Sequence, residues 1–582
     1  MSIFSSIRVK KPKRNKFNLS HDVKLSMQMG TLVPFFCQDV VPGDTFNMNN
    51  EVLIRFAPLI APIMHNVNVY THYFFVPKRL VWSNWKDFIT GGEKGDADPV
   101  YPMLGIHKTD LQENGLFAPG SLADYLGFPV FSNDNYPNVT IPDPPVGSSL
   151  DKIDALPFRA YHLIWNEYYR DQNLQEEVNI FKEINGTIGD INSKEREALL
   201  SLHQRCWTKD YFTSALPFPQ RGDDVQIPLY GDASLDVSDS FKDSGSNGIS
   251  VHNSPDFSYL LEPVRPPIDS RHSKIYTQAG TLASETDDLG GDGKGNVDQG
   301  SASKLRNILP ADGSLYVDAS DIMNAYKADL STASSATITE LRRAMKAQEY
   351  LEAMARGGSR YIEQIRSIFG VKSSDARLQR PEYLGGGKQP VVISDVMQTS
   401  QSTDTSVLGT PGGTAASLGR THSFKRFFEE HGYVIGIISV LPKTAYQQGL
   451  PRQYSKFHRL DHYIPQFARI GEQEIKNKEI YFVPGHTIDN DKEFGYAPRY
   501  AEYKYIPSTV HGDFRTSLKY WHMGRIFDQR PGLNGDFVSA NPTDRIFAVE
   551  QNVDNKIDHL WVSIHVNLRA MRPMPYYGTP SF

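Results

Sequence analysis

Cysteine is scarce: Cys37 and Cys206 are the only two in 582 residues. Two thiols build no disulfide framework, and no Cys/His spacing supplies a zinc site, so synthesis in a reducing compartment is expected. Long apolar runs are absent as well. No stretch reaches the roughly 18 to 20 residues that a bilayer span requires, and no apolar signal segment opens the chain, so neither export by that route nor membrane insertion is expected. Catalytic signatures are missing too. There is no GxSxG, and neither cysteine sits in a recognisable nucleophile context. Gly385-Gly386-Gly387-Lys388 lacks the GxxxxGK[ST] spacing of a phosphate loop. His458 and His462 are four apart but have no third ligand, and Pro465 cuts any helix short. Glu429 and Glu430 are sequential, which on a strand turns them to opposite faces and prevents an acid/base pair. The residues support no enzyme, metal or cofactor.

What the chain does contain is turn-rich β material: 37 Pro, 44 Gly, 29 Tyr and 31 Phe. Val434 to Leu441, bounded by Gly432 and Pro442, is apolar throughout and predicts a strand buried on both faces. Val67 to Val76 is of the same quality. Trp561 to Leu568 alternates strictly, with Val562, Ile564, Val566 and Leu568 on one side, the mark of a strand with one buried face. These three runs lie far apart, so the first and last hundred residues are expected to close one sandwich or barrel, with everything between them inserted. Pro58 and Pro62 demote Glu51 to Met64 to edge strand or extended backbone. Gln401 to Gly419 reads as a Gly/Ser/Thr-rich loop. Leu156 to Gln175 reads as a helix with Tyr161, Ile164 and Tyr168 on one stripe. Thr337 and Glu340 have capping-box spacing before an apolar face of Leu341, Ala344, Met345, Leu351 and Met354, with Gly357 as the stop. Between them, residues 231–335 are dominated by Gly, Ser, Asp, Asn and Thr, the composition of a surface excursion.

Charge is unevenly placed. Arg8, Lys10, Lys11, Lys13, Arg14 and Lys16 put six positive charges into nine residues, with no acid among the first sixteen, so a net charge of -6 leaves -12 on the rest. A basic arm of residues 1–17 thus precedes an acidic body. Its functional reading is a tail that neutralises nucleic-acid phosphates, and its alternatives are a solvated leader or a localisation signal. Arg452, Tyr454, Lys456 and Arg459 interleave cations with aromatics, which suits single-stranded nucleic acid and equally suits any protein interface.

Specific strings then carry a resemblance. NLSHDVKLSMQMGTLVPFFCQDVVPGD, VNVYTHYFFVPKRLVW, LPFRAYHLIWNEYYRDQN, WTKDYFTSALPFPQRG, SSDARLQRPEYLGGGKQPVVISDV, FFEEHGYVIGIISVLPKTAYQQGLP and HGDFRTSLKYWHMGRIF run in order along the chain. Together they resemble the major capsid proteins of the Microviridae, small icosahedral single-stranded DNA bacteriophages, nearest the gokushovirus branch. The likeness fails only across 231–335 and in shorter loops. It implies an eight-stranded antiparallel jelly roll with long loop insertions and a few short helices, occupying 18–582 as a single domain. It also implies a sixty-copy T=1 shell around circular single-stranded DNA, assembled in the host cytoplasm, with pilot and DNA-packaging proteins as further virion partners. The 231–335 insertion would build a three-fold protrusion that meets a host surface receptor. On the residues alone, a β-sandwich that binds or hydrolyses carbohydrate is the rival reading, and it lacks the carboxylate pair that hydrolysis requires.

Overall fold

The computed structural model describes residues 13–577 except 95, 112–114, 131–148, 189–193, 224, 226–233, 238–274, 277–281, 285–325, 330–337, 359, 370, 373, 398–410, 421–422 and 550–557. The chain divides into two compact units, one of residues 1–223 and 349–582 and one of 224–348.

The first unit is built on β1 (Asn15–Asn18), β2 (His21–Met27), β3 (Val33–Val40), β4 (Thr45–Phe56), β5 (Val67–Pro77), β6 (Glu382–Pro390), β7 (Val392–Met397), β8 (Pro411–Arg420), β9 (Phe424–Phe427), β10 (Gly432–Pro442) and β11 (Leu560–Arg572). In sheet one, β1 and β2 lie end to end against β11, β11 pairs with β4, and β4 pairs with β8 and β9 end to end, with β7 outside β8. Sheet two has the order β6-β5-β10-β3. Every one of these pairs is antiparallel. Counting each end-to-end pair once and setting β7 aside leaves eight strands, in spatial order 1-8-3-6 and 5-4-7-2. Early and late strands alternate within each sheet, which is the double-sheet jelly roll.

The alternation of β11 decides what fills the sandwich. Leu560, Val562, Ile564, Val566, Leu568 and Ala570 point inward and are buried, meeting Val52 and Ile54 of β4 and Val434, Ile438 and Val440 of β10 in one cluster. Each fully buried Val, Leu, Ile or Phe contributes about 1.5–3 kcal/mol. All eleven residues of β10 are buried, because sheet two is covered on both sides. Its other face carries Tyr433, Ile435 and Ile437, which pack with Phe158, Tyr161 and Trp165. Phe158 and Tyr161 belong to helix α1 (Leu156–Ile164), which widens into a π turn at Trp165–Tyr169. Outside the sandwich, the hairpin of Glu472–Lys476 and Glu493–Pro498 has its own cluster around Ile475, Phe494 and Phe537.

Three expectations are corrected. The first and last hundred residues do not close the sandwich by themselves, because residues 382–442 supply three of its eight strands. Residues 51–56 belong to a central strand, not an edge, because Pro58 and Pro62 come after β4 has ended and remove no ladder hydrogen bond. The tract expected to be a loop to Gly419 is, from Pro411, strand β8, and residues 398–410 lie outside those described. Helix α2 (Ile338–Gly357) forms where expected and stops on Gly357, with Leu341 and Met345 of its apolar face exposed and Ala355 alone buried. Thr337 lies outside the described residues.

In the second unit, Ser234–Val237 pairs antiparallel with Tyr326–Asp329, and Ile275–Tyr276 with Leu282–Ser284. The remainder of the 231–335 segment lies outside the described residues.

Candidate nucleic-acid interface

The residues of β11 that alternate with its core positions define a second surface. Trp561, His565, Arg569 and Met571 are exposed on the side of sheet one away from the sandwich core. Register then fixes their neighbours. Trp561 lies opposite Arg55 of β4 and Ser26 of β2, and Ser563 opposite Leu53 and Lys24. His565 faces Glu51 and Asp22, and Arg569 faces Asn47 and Asn18. Across β4, Arg420 is opposite Glu51 and Lys425 opposite Asn47, while Lys16 is opposite Met571.

Asp558, just before β11, accepts from the Ser26 hydroxyl at the edge of this face, whose strands carry Lys16, Lys24, Arg55, Arg420, Lys425 and Arg569 against two acids among the described residues, Asp22 and Glu51. Both acids are occupied: His565 Nδ1 is 2.6 Å from Asp22, and Arg420 is 2.5 Å from Glu51. Among the described residues, Lys24, Arg55, Lys425 and Arg569 have no carboxylate partner. A shallow depression of about 450 Å³ lies among Lys24, Arg55 and Trp561, and Trp561 is 49% exposed. Cations beside an open ring face and amide side chains are what an unpaired nucleic-acid strand requires: charge for its backbone and a surface on which a base stacks.

Of the arm residues singled out from sequence, Arg8, Lys10 and Lys11 lie outside the described residues, and Lys13 and Arg14 are exposed just before β1. The end of the arm is not a free tail. Asn15–Asn18 is hydrogen-bonded to β11, so Lys16 stands on the sheet face itself. The Arg14 guanidinium lies 5.0 Å from the centre of the Phe427 ring, which joins the arm to β9. Arg452 and Lys456 are placed differently. Arg452 pairs with Glu479 at 3.1 Å, and Lys456 pairs with Glu502 at 3.1 Å and sits 3.7 Å from the Tyr503 ring centre. Glu479 is buried, and its carboxyl is pushed above the usual range by desolvation, against the pull of Arg452. These two charges neutralise internal acids, whereas Tyr454 and Arg459 remain exposed.

Sequence reading did not single out Lys24, Arg55, Arg420, Lys425, Arg569 or Trp561. The available signal was the polar half of the β11 alternation, read only as the side away from the core. The thiols offer no chemistry: burial pushes Cys37 up to about 12 and Cys206 up to about 11. Among the described residues no group of His, Cys, Asp and Glu is arranged to hold a metal, and no helix is long and apolar enough to cross a membrane.

A jelly roll with large loops between strands is an architecture that viral shell subunits share with lectins and other proteins. The chain belongs to the phage capsid protein (F protein) family, whose sequence model matches residues 5–582. It is 36% identical to Capsid protein VP1 of Chlamydia phage 1, over 99% of this chain and 97% of that one. Capsid protein VP1 of Bdellovibrio phage phiMH2K is 35% identical over 98% and 95%, and that of Spiroplasma virus 4 is 31% identical over 97% and 95%. The chain is thus a structural protein of a phage virion rather than an enzyme.

Proposed function

We propose that sixty copies of this chain assemble into a T=1 shell around circular single-stranded DNA, with the outward face of sheet one and the arm that runs into it turned toward the genome. The observation that carries this reading is the continuity of the two. Lys13, Arg14 and Lys16 lead directly onto a face where Lys24, Arg55, Lys425 and Arg569 lack carboxylate partners among the described residues and Arg420 is paired with Glu51. Binding of this kind follows the phosphate backbone and is indifferent to sequence, because released counterions supply the free energy. Deletion of residues 1–16 tests it: particles should still form but contain less DNA, and unchanged packaging rejects the arm as a genome contact. Pilot and DNA-packaging proteins share the interior in this reading. Tyr454 and Arg459 are secondary contacts, to be tested by the same measurement on their alanine variants.

The 231–335 insertion is the proposed host-recognition element, a protrusion at the three-fold axis that meets a surface receptor. Its support is compositional, since a polar segment of that length is free to vary without disturbing the sandwich. Exchange of 231–335 for the corresponding segment of a phage with another host should transfer adsorption. Particles that assemble and keep the original host range exclude the segment as the attachment element.

A further inference from the structure

A second concave site opens on the side of sheet two away from the sandwich core, with a volume of about 340 Å³, inside the range of small-molecule sites. Its lining includes four cations, Arg170, Arg205, Lys209 and Arg360, and one carboxylate, Asp171. Lys209 is paired with Asp171, and glutamates stand 3.7 Å from Arg170 and 3.4 Å from Arg360. Arg205 has no carboxylate partner among the described residues. It donates to the Ser439 hydroxyl at 2.9 Å and lies 4.1 Å from the Tyr70 ring centre. Arg205 is half-buried, and a guanidinium partly withdrawn from water without a counter-charge is disfavoured, so burial depresses its pKa. Two further donors go unused. Trp207, 4% exposed, has an indole N–H with no acceptor, and the buried Nε–H of Arg170 has none either. Buried donors are normally satisfied.

The walls add a second requirement. Tyr168 and Tyr169 are consecutive, and in a regular helix they would diverge by about 100°. Both line this cavity, at the end of the π turn that follows α1, and π turns recur where a helix is deformed to serve a site. A cavity walled by rings and holding one guanidinium without a carboxylate partner suits an anion carried on a ring.

We propose that this cavity binds a small ring-bearing anion, with Arg205 holding its phosphate or carboxylate and the tyrosines packing against its ring. That chemistry is shared by a nucleoside monophosphate and an acidic sugar, and the test separates them. Purified full-length chain is titrated calorimetrically at constant ionic strength with thymidine monophosphate, glucuronate and inorganic phosphate. One of the two ring-linked anions should bind about tenfold or more tighter than inorganic phosphate, and Arg205→Gln should weaken it by about tenfold, the scale of a lost charge-assisted hydrogen bond. Arg205→Lys keeps the charge and removes only the planar fork, so it carries the same test, with a severalfold loss, should Arg205→Gln fail to fold. Equal affinity for all three, no saturable binding, or binding indifferent to both substitutions overturns the proposal. So does a chain that binds none of them while Arg205→Gln blocks particle formation, since the natural occupant would then be an acidic segment of a second copy.

Discussion

Leu560 and Trp561 are adjacent in sequence and meet opposite environments, the first fully buried and the second 49% exposed. Trp561→Ala should therefore leave thermal stability nearly unchanged while weakening binding of single-stranded oligonucleotides by about 1–3 kcal/mol, the worth of one base stacked on an aromatic ring. Fluorescence anisotropy with an oligothymidylate reads this directly. Buried residues behave in the reverse way. Arg196 and Asp110 form an ion pair with side chains 1% and 4% exposed. Asp110→Ala removes the counter-charge, and should destabilise the chain by about 3–5 kcal/mol, read as a lower denaturation midpoint. His162 and His203 are hydrogen-bonded at 2.8 Å, and burial holds them down to about 4 and about 3, with His162 adding to the effect on His203. The unfolded chain takes up these protons near pH 6.5 and the folded one refuses them. Stability is then fully present above pH 6.5 and falls on acidification toward about 4, by up to about 1.4 kcal/mol per pH unit for each ring. The double variant His162→Gln/His203→Gln should flatten that slope between pH 6.5 and 5 in denaturant titrations.

At the scale of elements, legibility followed pattern strength. The β10 and β11 strands were readable because one is continuously apolar and the other strictly alternates. Strand β8 was not, because Gly, Ala, Ser and Thr look like a loop. Its small residues answer a packing demand visible only in the fold: a Cβ on Gly413 would sit 2.6 Å from the Ala61 carbonyl oxygen and 2.8 Å from the Cα of Pro62. Gly413→Val should accordingly push β8 off the segment that follows β4 and lower the melting temperature, whereas Thr414→Val, exposed on the same strand, should not. The basic face was invisible for a different reason. Its charges come from positions as distant as Lys16, Arg420 and Arg569, and only strand register brings them together. The arm could be found as a run, but the surface it joins could not. Replacing Lys24, Arg55 and Arg569 together by Gln should reduce the steepness of the log–log salt dependence of DNA binding by about 2, at roughly 0.7 per phosphate contact on a single strand.

For the whole molecule, the decisive property is that each sheet interleaves early and late strands. The expectation that three distant runs share one core was correct in outcome, since β5 and β10 pair and β11 packs across from them. What no run of residues disclosed was which of them are neighbours. The same interleaving separates packing from surface: the loops between strands are free to lengthen, while the strands are fixed by partners hundreds of positions away. It also sets a timetable. Strand β11 lies between β2 and β4, so a ribosome must have polymerised past Arg572 before the middle of sheet one exists. A nascent polypeptide that has emitted only its early strands has no closed wedge to offer. Particle growth can therefore draw only on chains whose synthesis has passed that point.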